Sequence, residues 1–255
     1  MTARAACRTM EAGTTKDRTD TSMRILFIRH GEPDYARDCL TDEGRRQAEA
    51  AAERLSGEGI TRIYSSPNGR ARQTAAATAR RLELPVVILD YMHEITWGGP
   101  DIPVDGHPWT LGDWLLDREN FDYYAEDWRE HPYFKRNAAT DDYRRVTAKF
   151  DALLETLGYC HEGARFLCAD GNDETVAVFS HGGSGACALA HLLALPFPYV
   201  ASVMPYDFTS IISVALPARP GEYVHARLEL FNDAAHIRRR ADGPRLQERP
   251  DSVRE

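Results

Sequence analysis

Two short motifs, far apart in the chain, each place a histidine directly after a run of apolar residues. They read Arg29-His30-Gly31-Glu32 and Ser180-His181-Gly182-Gly183. The preceding runs, residues 25–28 and 175–179, are typical of buried strands. Ligands of an open α/β sheet bind beyond the carboxyl ends of its strands, so two strands of one sheet would bring both histidines into one crevice. A nucleophilic histidine, a second histidine and nearby arginines would suit phosphoryl transfer.

Three further blocks follow in a fixed order. The first is Ser65-Ser66-Pro67-Asn68-Gly69-Arg70-Ala71-Arg72-Gln73-Thr74-Ala75, a strand end followed by a helix. Residues two apart on a helix face different ways, so of its two arginines only one can face the crevice. Glu94 follows the next predicted strand, and residues 230–236 form a last block, Leu-Phe-Asn-Asp-Ala-Ala-His.

Taken in this order, the blocks resemble the histidine phosphatase superfamily, also called phosphoglycerate-mutase-like, over about residues 23–237. The last block resembles the closing segment of phosphatase members. The resemblance makes Arg70, immediately before Ala71, the phosphate-binding arginine of the helix. It implies five catalytic residues, which are His30, Arg29, Arg70, Glu94 and His181. It implies five phosphate-binding residues, which are Arg29, His30, Arg70, His181 and Gly182.

The chemistry of phosphoryl transfer accounts for these residue types. A neutral imidazole is a competent nucleophile near neutral pH, so His30 would attack phosphorus and hold the phosphoryl group. Planar guanidinium groups match phosphate oxygens, and the N–H of Gly182 at a helix start adds a donor. Glu94 would protonate the leaving oxygen and then activate water. We therefore predict a phosphatase of small phosphate monoesters that needs no cofactor and no metal.

The sequence departs from the mutase branch of the family at two places. Pro33-Asp34-Tyr35-Ala36 stands where mutases usually have Ser or Thr followed by Asn, and His93-Glu94-Ile95-Thr96-Trp97-Gly98 replaces the usual setting of the acid. Both differences favour a phosphatase. A phosphoglycerate-mutase-type phosphotransferase stays as the alternative, as does a non-catalytic phosphate-binding member of the fold. His93 could assist proton transfer or serve as a packing residue.

Three other enzyme classes are less consistent with the sequence. Cys39 and Arg45 match the C-x5-R spacing of cysteine-dependent phosphatases, but Asp42 and Glu43 fall in the loop that would cradle the phosphate. The run that begins at His181 resembles a lipase oxyanion loop, yet the chain has no G-x-S-x-G motif. A metallohydrolase would need H-E-x-x-H, and neither His-Glu pair of the chain, 93–94 or 161–162, has the second histidine.

Strands and helices alternate between these motifs, which predicts an α/β three-layer sandwich: a mostly parallel central sheet, helices on both faces and a small cap insertion. Helices are predicted over residues 42–55 with Thr41 or Asp42 as cap, 68–81, 141–157 and 183–195. Strands are predicted over residues 25–28, 62–65, 86–89, 175–179, 211–216 and 223–230. Residues 166–168 are expected to form a hairpin with the strand that ends at His181.

Composition limits the class of protein. The 255 residues carry a net charge of −8, which argues against nucleic acid or an anionic membrane as partner. No apolar run reaches the length of a membrane span, and no signal peptide is visible. The five cysteines include no C-x-x-C pair, so we expect free thiols and a cytoplasmic protein. The expected partner is a small phosphate monoester, and the sequence leaves the oligomeric state open.

The predicted domain covers residues 23–237, between disordered tails at 1–22 and 238–255, with a cap insertion at about 91–137. Between Asp101 and Arg136 the cap has nine acidic and four basic residues. Six large aromatic residues lie in or beside this stretch: Trp97, Trp109, Trp114, Tyr123, Tyr124 and Trp128. They could line the entrance to the site or pack on the main domain. An acidic entrance would repel substrates that carry additional negative charge.

Overall fold

The structure is a computed structural model, and it describes residues 21–99, 121–122 and 127–238. The strands are β1 (Ser22–Arg29), β2 (Pro33–Asp34), β3 (Cys39–Leu40), β4 (Ile60–Ser65), β5 (Val86–Ile88), β6 (Tyr159–Glu162), β7 (Arg165–Cys168), β8 (Thr175–Ser180), β9 (Ile211–Pro217), β10 (Tyr223–Val224) and β11 (Arg227–Asp233). The α-helices are α1 (Asp42–Leu55), α2 (Gly69–Leu82), α3 (Pro132–Lys135), α4 (Ala138–Thr156), α5 (Gly182–Leu192) and α6 (Phe197–Val203). Short 3₁₀ turns form at Asp90–Met92 and Trp128–Glu130.

Six strands build the central sheet, in the order β11-β9-β1-β8-β4-β5. The strands β1, β8, β4 and β5 run parallel, whereas β9 is antiparallel to both of its neighbours, β1 and β11. The predicted α/β class is therefore confirmed, with a mixed sheet whose parallel half carries the two histidine motifs.

Alternating residues of the central strands supply two separate cores, as a sheet covered on both faces requires. Ile25 and Phe27 of β1 belong to one buried cluster, which includes Phe150 of α4 and Leu189 of α5. Leu26 and Ile28 point to the other face and join Leu55 of α1 and Ala75 of α2. The sheet is thus the middle of three layers, and its carboxyl edge is where β1 and β8 end side by side.

The predicted pairing of residues 166–168 with the strand that ends at His181 is wrong. These residues lie in β7, which pairs with β6 and β10 in a separate three-stranded sheet. The turn between β6 and β7 uses Gly163 at a φ of 68°, a conformation that glycine adopts without strain. β8 already pairs with β1 and β4 on its two sides, so it has no free edge for a hairpin partner.

Residues 223–230, predicted as one strand, are divided between two sheets. Tyr223–Val224 joins the small sheet as β10, and Arg227–Asp233 pairs with β9 as the edge strand β11 of the main sheet. The two strands belong to different sheets, so the chain must change direction at residues 225 and 226. An apolar pattern alone cannot show such a break.

Helix ends follow the local capping signals. Of the two predicted caps of α1, Thr41 and Asp42, the structure has Thr41, whose Oγ1 accepts from the N–H of Gly44 at 3.0 Å. α4 begins at Ala138, three residues before the predicted start, because Asn137 accepts from the N–H of Ala139. α5 ends at Leu192 and not at residue 195, since Ala194 takes a positive φ of 53° and Pro196 follows.

Several expectations fall on residues that the structure does not describe. The tails and much of the cap stay predictions, since residues 1–20, 100–120, 123–126 and 239–255 lie outside the described ranges. Within those ranges, no helix is long and apolar enough to cross a membrane. Cys39, Cys168 and Cys187 are free, but Cys160 is disulfide-bonded. The expectation of free thiols throughout is wrong at Cys160, because the lack of a C-x-x-C pair does not exclude a disulfide.

Candidate active site

The two histidines lie next to each other at the carboxyl edge of the sheet. β1 and β8 are parallel neighbours, and Arg29 pairs with Ser180 at their ends. The residues that follow, His30 and His181, therefore lie side by side at the edge of the sheet. The ring centroids of His30 and His181 are 5.1 Å apart, and both side chains are fully buried. The strand arrangement that the two motifs predict therefore brings both histidines into one crevice.

The hydrogen bonds of His30 fix which ring nitrogen is available. Its Nδ1 lies 2.7 Å from the carbonyl oxygen of Gly31, which can only accept, so Nδ1 carries the hydrogen and donates it. Nε2 is then unprotonated and accepts from Nε of Arg70 at 3.3 Å. Burial, together with the charges of Arg29 and Arg70, lowers the pKa of His30 from 6.5 to about 3. The imidazole is neutral at physiological pH, and its Nε2 lone pair faces the Arg70 guanidinium.

The guanidinium groups of Arg29 and Arg70 flank His30 from two elements. Arg70 lies in the first turn of α2 and reaches His30 from the helix side. Arg29 ends β1, and its Nη1 donates to the carbonyl oxygen of Tyr206 at 2.6 Å. The Arg29 guanidinium also stacks on Phe208, with Cζ 4.4 Å from the ring centroid. Its Nε is buried and has no hydrogen-bond partner among the described residues.

Asp38 pairs with Arg70, a contact that the sequence did not predict. Its Oδ1 lies 2.5 Å from Nη1 of Arg70, and its Oδ2 accepts from the N–H of Gly69 at 2.6 Å. Burial alone would raise the pKa of Asp38, but the N–H of Gly69 and the Arg70 guanidinium outweigh it and hold the pKa below its ordinary value. Asp38 is therefore an anion that positions Arg70. No local pattern around Asp38 indicates this role, since a turn brings it to the start of α2.

The close approach of this turn to α2 depends on glycine. A Cβ atom at Gly69 would lie 2.1 Å from the backbone oxygen of Asp38, too close for any other residue. Gly69 therefore allows the Asp38 carboxylate to reach both the helix start and Arg70.

His181 is held by a hydroxyl and a backbone contact. Its Nε2 lies 2.7 Å from Oγ of Ser66, and its carbonyl oxygen accepts from the hydroxyl of Tyr206 at 2.6 Å. Nδ1 is buried with no partner in the described part of the chain. Burial, followed by the adjacent His30 ring and the positive charge of Arg70, holds the pKa of His181 well below 6.5. Ser66 could have been found from the sequence, because it is a polar residue directly after a strand.

Glu94 lies at the N-terminus of α5. Its Oε1 accepts from the N–H groups of Ile95, Gly183 and Ser184 at 2.9, 3.1 and 3.0 Å, whereas its Oε2 has only a longer contact of 3.4 Å to the N–H of Gly183. The carboxylate thus caps the helix that begins beside His181. His93 is turned back on the chain, with Nδ1 3.0 Å from the carbonyl oxygen of Glu94.

Gly182 follows His181 directly and precedes Gly183 and Ser184, the two residues of α5 that Glu94 caps. It is the first residue of α5, and a Cβ atom there would lie 3.8 Å from Cζ and Nε of Arg29. The next two N–H groups of the helix, those of Gly183 and Ser184, donate to Glu94. The structure therefore brings together all the predicted phosphate-binding residues, and Glu94 lies next to them.

The closing block of residues 230–236 supports the site from behind. Asn232 takes a positive φ of 54°, and its side chain accepts from the N–H of Asp207 at 2.9 Å. His236 contacts Oγ1 of Thr209 through Nε2 at 3.1 Å. These contacts hold the loop 206–209, whose Phe208 ring lies 5.6 Å from the ring of His30. The sequence indicated this block but not the loop that it positions.

Two tryptophans of the segment predicted as a cap pack against other aromatic side chains. Trp128 is buried and contacts the rings of Phe134, Tyr143 and Phe197, while Trp97 contacts Tyr133 and Phe197. These two tryptophans follow the packing alternative. Trp109, Trp114, Tyr123 and Tyr124 lie outside the described residues.

Known proteins similar to this chain have names that refer to phosphatases or to a phosphoglycerate mutase. "Probable phosphoglycerate mutase GpmB" of Yersinia pestis (strain Pestoides F) is 29% identical over 192 residues, which cover 68% of this chain and 76% of that protein. A mycobacterial glucosyl-3-phosphoglycerate phosphatase, solved with inorganic phosphate, is 26% identical at a TM-score of 0.57 and covers 84% of this chain and 99% of that one. Phosphoserine phosphatase of Entamoeba histolytica, solved with 3-phosphoglyceric acid, is 25% identical at a TM-score of 0.56, with coverages of 84% and 99%.

These similarities support phosphoester chemistry at a general level. A family model described as the histidine phosphatase superfamily (branch 1) matches residues 25–226, which include both histidine motifs, Arg70 and Glu94. Because this match spans well over half of the 255 residues, the chain belongs to branch 1 of the histidine phosphatase superfamily.

Proposed function

We propose that this protein hydrolyses a small phosphate monoester through a phosphohistidine at His30, without a metal. The observation that carries this proposal is the state of His30. Its Nδ1 is occupied by the carbonyl oxygen of Gly31, and its Nε2 carries a lone pair beside a guanidinium group. A neutral imidazole in this setting is a nucleophile that needs no metal to activate it.

The first step joins Nε2 of His30 to phosphorus and breaks the bond between phosphorus and the ester oxygen. Negative charge on the transferring group is met by the guanidinium groups of Arg29 and Arg70 and by the ring of His181. Arg29 Nε and His181 Nδ1 are buried polar atoms without partners in the described chain, and such atoms suit an anionic ligand.

Glu94 protonates the leaving oxygen in this proposal. Three N–H donors converge on its Oε1, whereas Oε2 has only the longer contact to the N–H of Gly183, so Oε2 is the oxygen that can carry the transferable proton. In the second step the same carboxylate takes a proton from water, which attacks phosphorus and releases phosphate from His30. Asp38 is less suited to this role, because it forms an ion pair with Arg70.

A phosphoglycerate-mutase-type phosphotransferase is the second candidate, which the name of the Yersinia relative favours. Its substrates carry several negative charges. The Asp38 carboxylate beside Arg70 opposes such charge. The acidic stretch between Asp101 and Arg136 would oppose it as well if part of the stretch lines the entrance. We therefore place hydrolysis first.

Turnover measurements separate the candidates. The purified protein should release phosphate from an aryl phosphomonoester in the presence of EDTA, and the His30→Ala variant should not. It should convert 3-phosphoglycerate to 2-phosphoglycerate slowly or not at all, with or without 2,3-bisphosphoglycerate. Faster isomerisation than hydrolysis would establish the mutase alternative, and no turnover of any phosphomonoester in a broad metabolite screen would indicate a binding protein.

A further inference from the structure

A second group of polar side chains lies apart from the phosphate site, where α4, β6 and α5 meet. It consists of Asp151 of α4, His161 of β6 and His191 in the last turn of α5. We define these three residues as the Asp151 cluster. Its side chains are only partly exposed: 9% for His161, 16% for His191 and 33% for Asp151. None of these residues has a part in the proposed hydrolysis.

Three atoms of the Asp151 cluster, one from each side chain, lie within 3.0 Å of one another. Nε2 of His191 lies 2.7 Å from Oδ1 of Asp151, and Nδ1 of His161 lies 3.0 Å from the same oxygen. The two ring nitrogens are 2.9 Å apart. The three atoms therefore form a nearly equilateral triangle, with one ligand atom from each of three different elements.

No placement of hydrogens on the two ring nitrogens gives favourable contacts among all three atoms of this triangle. If only one ring nitrogen carries a hydrogen, the other directs its lone pair at the carboxylate oxygen. If both carry hydrogens, both N–H groups can donate to Oδ1 of Asp151, but the two hydrogens are crowded because the nitrogens are only 2.9 Å apart. A cation that accepts all three lone pairs removes both conflicts, and two imidazoles with one carboxylate are a ligand set typical of zinc.

We propose that the Asp151 cluster binds one divalent first-row transition-metal ion, of which Zn²⁺ is the best match. Zinc bonds to nitrogen and oxygen measure about 2.0–2.2 Å, which sets neighbouring ligand atoms of a tetrahedron about 3.3 Å apart. The sides of the triangle, which measure 2.7, 2.9 and 3.0 Å, need to lengthen by about 0.3–0.6 Å to reach this separation. The fourth position is left for water. Mg²⁺ prefers oxygen ligands, so it should not compete.

The packing around His161 favours this arrangement. Its ring is stacked on Phe166 of β7, with centroids 4.5 Å apart and an angle of 13° between the planes, which fixes the direction of Nδ1. Nε2 of the same ring is buried without a partner in the described chain, so the ring makes its polar contacts through Nδ1. The sequence could not show this site, because the second histidine lies thirty positions beyond His161 and not at the H-E-x-x-H spacing.

The ion would act as a clamp and not as part of the phosphate chemistry. α5 begins next to His181, and His191 lies in its last turn, about 15 Å farther along the helix axis. An ion that binds only the folded chain stabilises it, and here it would tie α5 to α4 and to β6. Removing the ion should lower the melting temperature and leave the turnover of an aryl phosphate unchanged.

The test uses the full-length, untagged protein stripped with a chelator and then exchanged into metal-free buffer. Titration with Zn²⁺ alone, followed by elemental analysis after dialysis, should give about one ion per chain and a melting temperature higher by several degrees. Co²⁺ should give the visible absorption of a tetrahedral site with nitrogen ligands. Mg²⁺ should produce neither effect.

Two variants should abolish binding, and two serve as controls. His191→Asn and Asp151→Asn should lower the stoichiometry to near zero or weaken binding by at least about a hundredfold. His225→Asn removes an exposed histidine, and His30→Ala removes an imidazole of the phosphate site; both should still bind one ion. If the unsubstituted protein binds no Zn²⁺, or if His30→Ala loses the ion while His191→Asn keeps it, the proposal is wrong. The cobalt spectrum of the unsubstituted protein decides the matter even if a variant fails to fold.

Discussion

Arg70 contacts both His30 and Asp38: its Nε lies 3.3 Å from Nε2 of His30, and its Nη1 lies 2.5 Å from Oδ1 of Asp38. The same guanidinium is thus the neighbour of the proposed nucleophile and the partner of a fixed carboxylate. A substrate phosphate that binds Arg70 must share it with Asp38. This competition lets the role of Arg70 be tested through Asp38, without removing the arginine itself.

We expect Asp38→Asn to strengthen the binding of phosphate. The substitution removes a negative charge close to the bound dianion but leaves an oxygen to accept from the N–H of Gly69. Charge interactions at this range are worth about 1 kcal/mol, so the inhibition constant for inorganic phosphate should fall roughly five-fold. The matched control is Asp34→Asn, whose carboxylate lies in the same hairpin but pairs with Arg37. Weaker phosphate binding in Asp38→Asn alone would mean that Asp38 is needed to hold Arg70 in place.

Glu94→Gln separates proton donation from helix capping. Glutamine keeps a side-chain oxygen for the N–H groups of Gly183 and Ser184 but cannot donate the proton. Hydrolysis of alkyl phosphates, whose leaving oxygen needs a proton, should slow by about 10²–10³-fold, while an aryl phosphate should still phosphorylate His30 at a rate within about tenfold of normal. Rapid-quench kinetics on both substrates gives the comparison. Equal losses on the two would leave Glu94 with a positioning role only.

The low pKa of His30 predicts how stability depends on pH. The unfolded chain takes up a proton at this residue below about pH 6.5, whereas the folded chain does so only near pH 3. The free energy of unfolding therefore falls as the pH decreases below about 6.5 and has its full value above it. Between about pH 7.5 and 5.5 this one residue costs about 1.4 kcal/mol.

Urea unfolding at these two pH values measures this effect. His30→Asn should lose about 1.4 kcal/mol less stability between them than the unsubstituted protein does. His225→Asn, at an exposed position, is the control and should behave like the unsubstituted protein. An unchanged pH dependence in His30→Asn would show that His30 is not held neutral in the folded state.

The acidic stretch between Asp101 and Arg136 predicts the choice of substrate. If part of it lines the entrance, phosphomonoesters with a neutral, cationic or aromatic body should be preferred to sugar bisphosphates and phosphoglycerates. Values of kcat/KM across such a panel, measured at low and high salt, test this preference, since salt should reduce it. A best substrate among the phosphoglycerates would reverse the order of the two candidate functions.

The sequence predicted the parts of the site that lie on regular elements. His30 and His181 follow buried strands, and Arg70 lies one position inside a helix that begins at Gly69, one residue after the predicted start at Asn68. Strand ends of one sheet share an edge, so their positions follow from the order of elements alone. The location of Glu94 next to this edge followed in the same way.

The remaining contacts depend on tertiary packing. Asp38 reaches Arg70 through a turn in which it takes a φ of 48°, and Phe208 reaches His30 from a loop held by the block of residues 230–236. Neither residue belongs to a periodic pattern. The wrong pairing of β7 has a similar origin: a short apolar run does not show which sheet it joins, since β6 and β8 are both near in sequence.

The phosphorylated intermediate is the most direct test of the proposed mechanism. The protein is mixed with an aryl phosphate, quenched within the first turnovers and digested, and the position and stability of any phosphoryl group are determined by mass spectrometry. The proposed mechanism predicts a phosphoryl group on His30 that survives alkali, decays in acid and is absent from His30→Ala, which also lacks turnover. An alkali-labile adduct, an adduct on another residue such as Cys39, or a His30→Ala variant that keeps most of its activity would contradict it.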